Sequence, residues 1–171
     1  MNAMQSCRIE KLTLNIGAGT EQPKLEKGLV LLKTISGVDA VKTVAKKRLP
    51  AWGLRPGLPI GCKITLRKKK ALELIPRLLK SRENKLKDGN FDEHGNISFG
   101  IPEYIDIPGV PYNPSIGVIG LQVCITLEKP GYRVKRRKLK PSKIPPRHQV
   151  KKEEAIAFMK NSYKIQVGEA A

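Results

Sequence analysis

Strict alternation of apolar and polar residues in two segments constrains the fold of this 171-residue chain more than any other feature. The segments run from Lys11 to Ile16 and from Ile60 to Arg67. Successive side chains of a strand point to opposite faces, so each segment predicts a strand with one apolar and one polar face. The polar positions hold cations and short hydrogen-bonding groups: Lys11, Thr13, Asn15, Lys63, Thr65 and Arg67.

The remaining periodicities predict a sheet with helices on one side. Apolar residues at helical spacing predict helices over Pro23–Ser36, Lys69–Lys80 and Lys151–Tyr163, with a kink or a second turn at Pro76. Further strands are predicted at Val38–Lys46, Ile97–Ile107 and Ile116–Leu127, and a polar, turn-rich excursion at Ser81–Asn96. The order β, α, β, β, α, β, β predicts an α+β fold. Antiparallel strands then form a sheet with helices packed on one face, which leaves the other face free to bind.

Basic residues are concentrated in two windows, Ala40–Leu72 and Lys129–Lys152. The windows hold 21 of the 33 lysines and arginines and contain no aspartate or glutamate. The rest of the chain carries 12 basic and 15 acidic residues, so the net charge of +18 comes from the windows. Cations that pair with phosphates release condensed counterions, and a localised basic surface is typical of nucleic-acid binders. A polyanionic partner is therefore expected.

The amino-acid composition of the chain changes after Glu128. Of the 24 residues in the second window, 11 are basic and four are proline, which is too polar a composition for a separate core. We predict an α+β RNA-binding core at residues 1–128, and at residues 129–171 a basic arm that becomes ordered on its partner, followed by a terminal helix. A nuclear-localisation tract and an anionic membrane are the alternatives. The membrane is the weaker one, since no amphipathic helix or lipidation signal accompanies the charge.

The loop Leu49–Pro59 contains the single tryptophan, Trp52, and Arg55 among prolines and glycines. In one interpretation the loop projects, and its aromatic and guanidinium groups stack on bases or pack on a nucleic-acid backbone. In the other, Trp52 fills an edge of the core, as most large aromatic side chains do. The residues alone favour neither.

Little in the sequence predicts catalysis or a bound metal. The cysteines and histidines are scattered: Cys7, Cys62, Cys124, His94 and His148. We therefore expect no metal, cofactor or disulfide framework, and a reducing cytoplasm as the compartment. Asp92 and Glu93 adjoin His94, but contiguous side chains do not converge on one site, so a polar loop is the simpler interpretation. No apolar run suits a membrane span or a signal peptide, which predicts a soluble protein.

Five blocks in fixed order resemble a known family. They are LTLNIGAG at Leu12–Gly19, the run Thr43–Lys47, IGCKITLR at Ile60–Arg67, FDEHGNISFGI at Phe91–Ile101 and RVKRRKLKPSKIPPRH at Arg133–His148. Together they are similar to the large-subunit ribosomal protein numbered five, over nearly the whole chain. The basic arm and terminal helix look like the archaeal and eukaryotic branch, with an archaeal source favoured. The segment RENKLKDGN departs from the bacterial pattern, which puts in doubt any contacts made there in bacteria.

The resemblance implies a non-catalytic, structural protein that binds 5S rRNA in the central protuberance of the large subunit. It assigns 5S rRNA contacts to Lys11, Thr13, Asn15, Thr43, Lys46, Lys47, Lys63, Thr65 and Arg67. The family's projecting loop approaches peptidyl-site tRNA and corresponds to Leu49–Gly61, with Trp52, Leu54 and Arg55 at its tip. Large-subunit rRNA is expected on the arm, at Arg133, Lys135, Arg136, Arg137, Lys138, Lys140, Lys143 and Arg147. Neighbouring central-protuberance proteins are further expected partners. The alternatives are a free-standing RNA-binding regulator and an RNA-processing enzyme.

Overall fold

The computed structural model of the chain describes residues 2–168. In chain order the strands and helices are β1 (Arg8–Gly17), α1 (Gln22–Ser36), β2 (Val41–Val44), β3 (Pro59–Leu66), α2 (Lys68–Lys80), β4 (Lys85–Lys87), β5 (Asn96–Ile101), β6 (Leu121–Glu128), α3 (Arg133–Arg136), α4 (Lys152–Tyr163) and β7 (Gln166–Gly168). Five strands form an antiparallel sheet in the order β2-β3-β1-β6-β5, and β4 pairs in parallel with β7. The α+β prediction is confirmed.

Strand β1 is the centre of the main sheet, since it pairs with β3 along one edge and with β6 along the other. Leu12 and Leu14 have no exposed surface, whereas the intervening Thr13 is only half-buried. The predicted alternation is therefore confirmed. One face of β1 lies in the core, and the polar face points away from it.

Helix α1 ends at Ser36 as the sequence predicts and begins one residue earlier than predicted, at Gln22. Pro23 lies in the first turn, where its missing N–H is not needed. Gly37 ends the helix at a φ of 66° and donates its N–H to the Lys33 carbonyl at 2.8 Å. The helix lies close to the sheet at Gly28, where a Cβ atom would be 2.9 Å from the Cys62 sulfur. That close approach favours glycine despite its low helix propensity.

Helix α2 continues through Pro76 as one element. Proline inside a helix removes one backbone hydrogen bond, so the helix depends on its packing. Five of its side chains are buried in the core that covers the sheet: Ala71, Leu74, Ile75, Leu78 and Leu79. Both helices pack on the apolar face of the sheet, as predicted.

Three predicted strands are shorter in the structure. Strand β2 covers Val41–Val44 instead of Val38–Lys46. Strand β5 ends at Ile101 instead of Ile107, and β6 begins at Leu121 instead of Ile116. The residues between them, 102–120, include four prolines, which cannot donate to a strand ladder. Five apolar residues of this segment are nevertheless buried, and that burial produced the misleading pattern: Tyr104, Ile107, Val110, Ile116 and Ile119.

Tyr104 organises this irregular segment. Its side chain has no exposed surface, and its hydroxyl accepts the backbone N–H of Asn113 at 2.9 Å. The prolines prevent strand pairing here, so this hydrogen bond gives the loop backbone a fixed partner in the buried Tyr104 side chain.

The C-terminal part of the described chain packs on the same core. Ala155 and Met159 of α4 are fully buried in it, and Ile165 is 5% exposed. The Glu154 carboxylate caps the helix by accepting the N–H of Lys151 at 3.0 Å. Sequence patterns missed β4 and β7, because three-residue strands are too short to show alternation. Within residues 2–168, no helix has the length and apolarity needed to cross a bilayer.

Replacing Tyr104 by phenylalanine tests this account of the irregular segment. The change removes this hydrogen bond, so the free energy of unfolding should fall by about 0.5–1.5 kcal/mol. Urea denaturation measures it, with Tyr112→Phe as the matched control because the Tyr112 side chain is exposed. Equal stabilities for the two variants would contradict the assigned role of the Tyr104 hydroxyl.

Candidate nucleic-acid interface

The polar side chains of the central strands lie on one face of the sheet, which we call the open face. The strand register arranges them in three rows: Lys63 beside Asn15 and Gln122; Thr65 beside Thr13, Cys124 and Ser98; and Lys11 beside Thr126 and Asn96. Every one of these residues is exposed or half-buried. The predicted sets on β1 and β3 are thus brought together, and these rows contain no carboxylate.

At one end of the open face, two glutamates and three arginines form an ion network. Glu10 Oε1 accepts hydrogen bonds from Arg67 Nη1 at 3.2 Å and from Arg136 Nη1 at 2.9 Å. Glu128 accepts from Arg136 and from Arg8, whose Nη2 lies 2.8 Å from Oε1. A β-bulge in β1, between Ile9 and Lys11, accommodates Glu10 at this end of the sheet. The network therefore connects β1, β6 and α3 with Arg67, which lies between the end of β3 and the start of α2.

The remaining predicted residues near β2 lie at the side of the sheet. Thr43 is on edge strand β2 opposite Gly61 and is half-buried, whereas Lys46 and Lys47 follow the strand and are exposed. A Cβ atom on Gly61 would lie 2.7 Å from the Ile16 carbonyl oxygen, which explains the glycine there. These cations extend the basic surface from the open face toward the Trp52 loop.

The basic segment 133–147, which we call the basic loop, is fixed at both ends. The Tyr132 hydroxyl accepts the N–H of Val150 at 3.1 Å and donates to the His148 carbonyl at 3.3 Å. Beside it, Lys129 is buried and its Nζ lies 2.7 Å from Glu154. The predicted cations of the loop are all exposed: Arg133, Lys135, Arg136, Arg137, Lys138, Lys140, Lys143 and Arg147.

The Trp52 loop is a closed hairpin. Leu49 and Leu54 exchange backbone hydrogen bonds of 3.0 and 3.1 Å, and a short 3-10 turn lies between them. The Trp52 side chain is 71% exposed, which supports the projecting interpretation over the core plug. Arg55 is exposed too, whereas Leu54 is only 8% exposed, so Leu54 shapes the hairpin from inside.

The remaining candidates for chemical reactivity are the three cysteines and Asp92. All three cysteines are free, and burial raises the pKa of Cys62 to about 11, which keeps it a thiol. Burial acts to raise the pKa of Asp92, but hydrogen bonds from Asn96 and from the N–H of His94 outweigh it and lower that pKa. Asp92 thus closes a turn. Among residues 2–168 no cluster of histidine, cysteine and carboxylate side chains is suited to a metal.

Sequence patterns found the cations of the interface but missed Glu10 and Glu128. The two acids pair with arginines up to 126 positions away, which no local pattern reveals. A weak signal existed, because Glu10 adjoins Lys11 and Glu128 directly precedes the second basic window. Acidic residues at the border of a basic surface are candidates for holding its arginines.

The fold and the interface together define a class of protein. It is an α+β nucleic-acid-binding protein, in which the open face and the basic loop present the cations. Two family models then match almost the whole described chain. The model described as Ribosomal protein L5 matches residues 2–55, and a second model, which describes the C-terminus of the same ribosomal family, matches residues 59–165. The chain belongs to the ribosomal protein L5 family of the large ribosomal subunit.

Curated relatives match the chain over nearly their full lengths. The chain is similar to the large ribosomal subunit protein uL5 of Sulfurisphaera tokodaii, at 45% identity over 170 residues, covering 99% of this chain and 96% of the relative. The uL5 of Nanoarchaeum equitans is 48% identical over 165 residues, covering 96% and 97%. That of Methanosphaera stadtmanae is 44% identical over 167 residues, covering 98% and 99%.

These relatives confirm the family resemblance and its archaeal type. The chain is a structural protein of the large ribosomal subunit and not an enzyme. The protein is located in the ribosome, in the cytoplasm, and ribosomal RNA is its partner.

The ion pair at the base of the basic loop predicts a dependence of stability on pH. Burial acts to raise the pKa of Glu154, but hydrogen bonds from Lys129 and from the N–H of Lys151 outweigh it and hold that pKa below its ordinary value. The stabilisation is thus complete above the ordinary glutamate pKa of about 4.3 and is lost as pH falls through the folded value. The Glu154→Gln variant should be less stable at pH 7 and lose less stability on acidification.

Chemical denaturation between pH 7 and pH 3 measures this difference. Glu153→Gln is the matched control, since the Glu153 side chain is exposed one position away. An acid dependence of Glu154→Gln as steep as that of the parent chain would contradict the assignment.

Proposed function

We propose that the open face binds 5S rRNA and thereby helps to anchor it in the central protuberance of the large subunit. The observation that carries the proposal is the register of the sheet. It places Lys11, Thr13, Asn15, Lys63 and Thr65 side by side on a face whose three rows hold no carboxylate. Family membership supports the choice of RNA as the ligand.

The chemistry of the open face suits RNA. Lys11 and Lys63 supply cations for phosphates, and the side chains between them supply short donors and acceptors. Contacts to phosphate position an RNA, whereas contacts to 2′-hydroxyls and base edges distinguish it from DNA. Thr13, Asn15 and Thr65 are the proposed contacts of the second kind. Arg67, Thr43, Lys46 and Lys47 extend the proposed 5S rRNA surface at its borders.

The basic loop is the proposed site for large-subunit rRNA. Its eight predicted cations are exposed and lie on a segment closed at its base by Tyr132. Fixing the ends of a loop lowers the entropy lost when it binds. The boundary predicted after Glu128 stays a prediction. Because Ala155 and Met159 of α4 lie in the common core, the loop should be tested by substitution and not by truncation.

Two further contacts belong to the proposal. Trp52 and Arg55 are exposed on a closed hairpin, which supports an approach of this loop to peptidyl-site tRNA. Tyr112 and Val118 are exposed apolar side chains on the irregular segment 102–120. They support contact with a neighbouring central-protuberance protein.

Charge reversal on the open face tests the 5S rRNA site. Lys63→Glu should lower affinity for 5S rRNA on the order of tenfold at moderate salt, because one phosphate contact is lost and a repulsive charge is added. Lys27→Glu on α1 is the matched control, since it makes the same charge change at an exposed position of the helix layer. Gel-shift titrations with 5S rRNA, against an unrelated structured RNA as competitor, measure both variants.

A neutral change separates recognition from charge. Thr65→Val keeps the charge and the β-branched shape but removes the hydroxyl, so only the preference for 5S rRNA over the competitor should fall. Equal losses for Lys63→Glu and Lys27→Glu would mean that binding is generic electrostatics and would contradict the proposed site.

The tRNA contact predicts a different phenotype for Trp52→Ala. Stacking on one base contributes about 1–3 kcal/mol, so large subunits carrying the variant should bind peptidyl-site tRNA more weakly by about fivefold or more. Binding to 5S rRNA and the unfolding midpoint should stay unchanged, because the Trp52 side chain is exposed. Filter binding of tRNA to reassociated ribosomes measures the effect, with Val30→Ala, at an exposed apolar position of α1, as the control. Normal tRNA affinity in the Trp52 variant would remove the contact from the proposal.

A further inference from the structure

The ion network at the end of the open face buries its acids and exposes its cations. The side chains of Glu10 and Glu128 are 15% and 6% exposed, whereas those of Arg8, Arg67 and Arg136 are 59%, 49% and 43% exposed. Arginine has five N–H donors, and each of these three uses only some of them in the network. Donors are therefore left over on accessible guanidinium groups.

The two glutamates also reduce the electrostatic repulsion among the three arginines. Three guanidinium cations repel one another, and two carboxylates between them leave one excess positive charge on the cluster. Glu10 Oε1 holds Arg67 and Arg136 at once, so the two cations share a single oxygen atom. Side chains fixed in this way lose less rotamer freedom when an anion binds.

The network lies where two proposed RNA surfaces meet. Arg67 belongs to the open face, and Arg136 belongs to the basic loop. One acid, Glu10, contacts both. An anion that reaches the cluster therefore meets guanidinium groups from both surfaces.

We propose that Glu10 and Glu128 are positioning residues for RNA binding, which hold Arg67 and Arg136 together as a preorganised site for a backbone phosphate of 5S rRNA. The inference rests on the proposed function of the open face. Planar guanidinium groups match phosphate oxygens with paired hydrogen bonds, which a lysine cannot reproduce. The glutamates act through the arginines and do not touch the RNA.

If only the overall charge mattered, removal of a glutamate would change the RNA affinity in the opposite direction. If the glutamates only neutralise part of the basic surface, removing one of them should strengthen binding to a polyanion. If they position the arginines, removing one should weaken binding although the protein becomes more positive.

The test compares Glu10→Gln with Glu26→Gln, which removes the same charge at an exposed position of α1. Glu10→Gln should lower affinity for 5S rRNA about tenfold, since two arginine side chains must then be ordered on binding. Glu26→Gln should leave affinity equal or slightly higher. The slope of log affinity against log salt should also become shallower in Glu10→Gln by about 0.7–0.9, the contribution of one lost phosphate contact.

Two additional variants separate positioning from folding. Arg136→Lys keeps the charge but cannot bridge Glu10 and Glu128 with a planar fork, so it too should lose affinity. In a chain that already carries Arg67→Gln and Arg136→Gln, adding Glu10→Gln should cause no further loss. A purely structural role of Glu10 would lower affinity by the same factor in both backgrounds, which would overturn the proposal. Thermal unfolding of each variant verifies that the compared proteins are folded.

The outcomes distinguish this proposal from the one on which it rests. If the parent chain does not prefer 5S rRNA to the unrelated RNA, the proposed function fails. If the parent chain shows the preference and Glu10→Gln binds equally or more tightly, the positioning role alone is wrong.

Discussion

Burial of one sheet face under α1 and α2 is the constraint on which the other features of this protein depend. Leu12 and Leu14 in the central strand can reach the core only if Thr13 and its polar neighbours face outward. A sheet whose two long helices, α1 and α2, lie on one side leaves most of its second face to a partner or to water. The composition of that face, with cations and short polar groups and its acids confined to one end, suits RNA and not a hydrophobic partner.

Local patterns in the sequence were enough to predict the layers of the fold. Helix α1 was marked by Pro23 and Gly37, and the central strands by their alternation, because these signals arise from neighbouring residues. The strand limits near Ile107 and Ile116 were wrong, since prolines and the buried Tyr104 impose an irregular path there. The exposure of Trp52 could not be decided from its surroundings in the sequence.

The candidate site was predictable residue by residue but not as an arrangement. Alternation identified Lys63 and Arg67 as polar-face residues, and only the register showed that Lys63 lies beside Asn15. The pairing of Arg67 and Arg136 through Glu10 depends on a β-bulge and on the path of the basic loop, both of which are tertiary features. Glu10 thus fixes the arginine at the end of the sheet and the arginine of the basic loop relative to each other. The net charge of the chain does not reveal this arrangement.

Lysine acylation of the protein, free and bound to 5S rRNA, tests most directly whether the open face is the RNA surface. Mass spectrometry reports the reactivity of each lysine separately. The account predicts that Lys11 and Lys63 become protected in the complex, while Lys24 and Lys27, exposed on α1, keep the reactivity of the free protein. Protection of the α1 lysines with continued reactivity at Lys11 and Lys63 would contradict it.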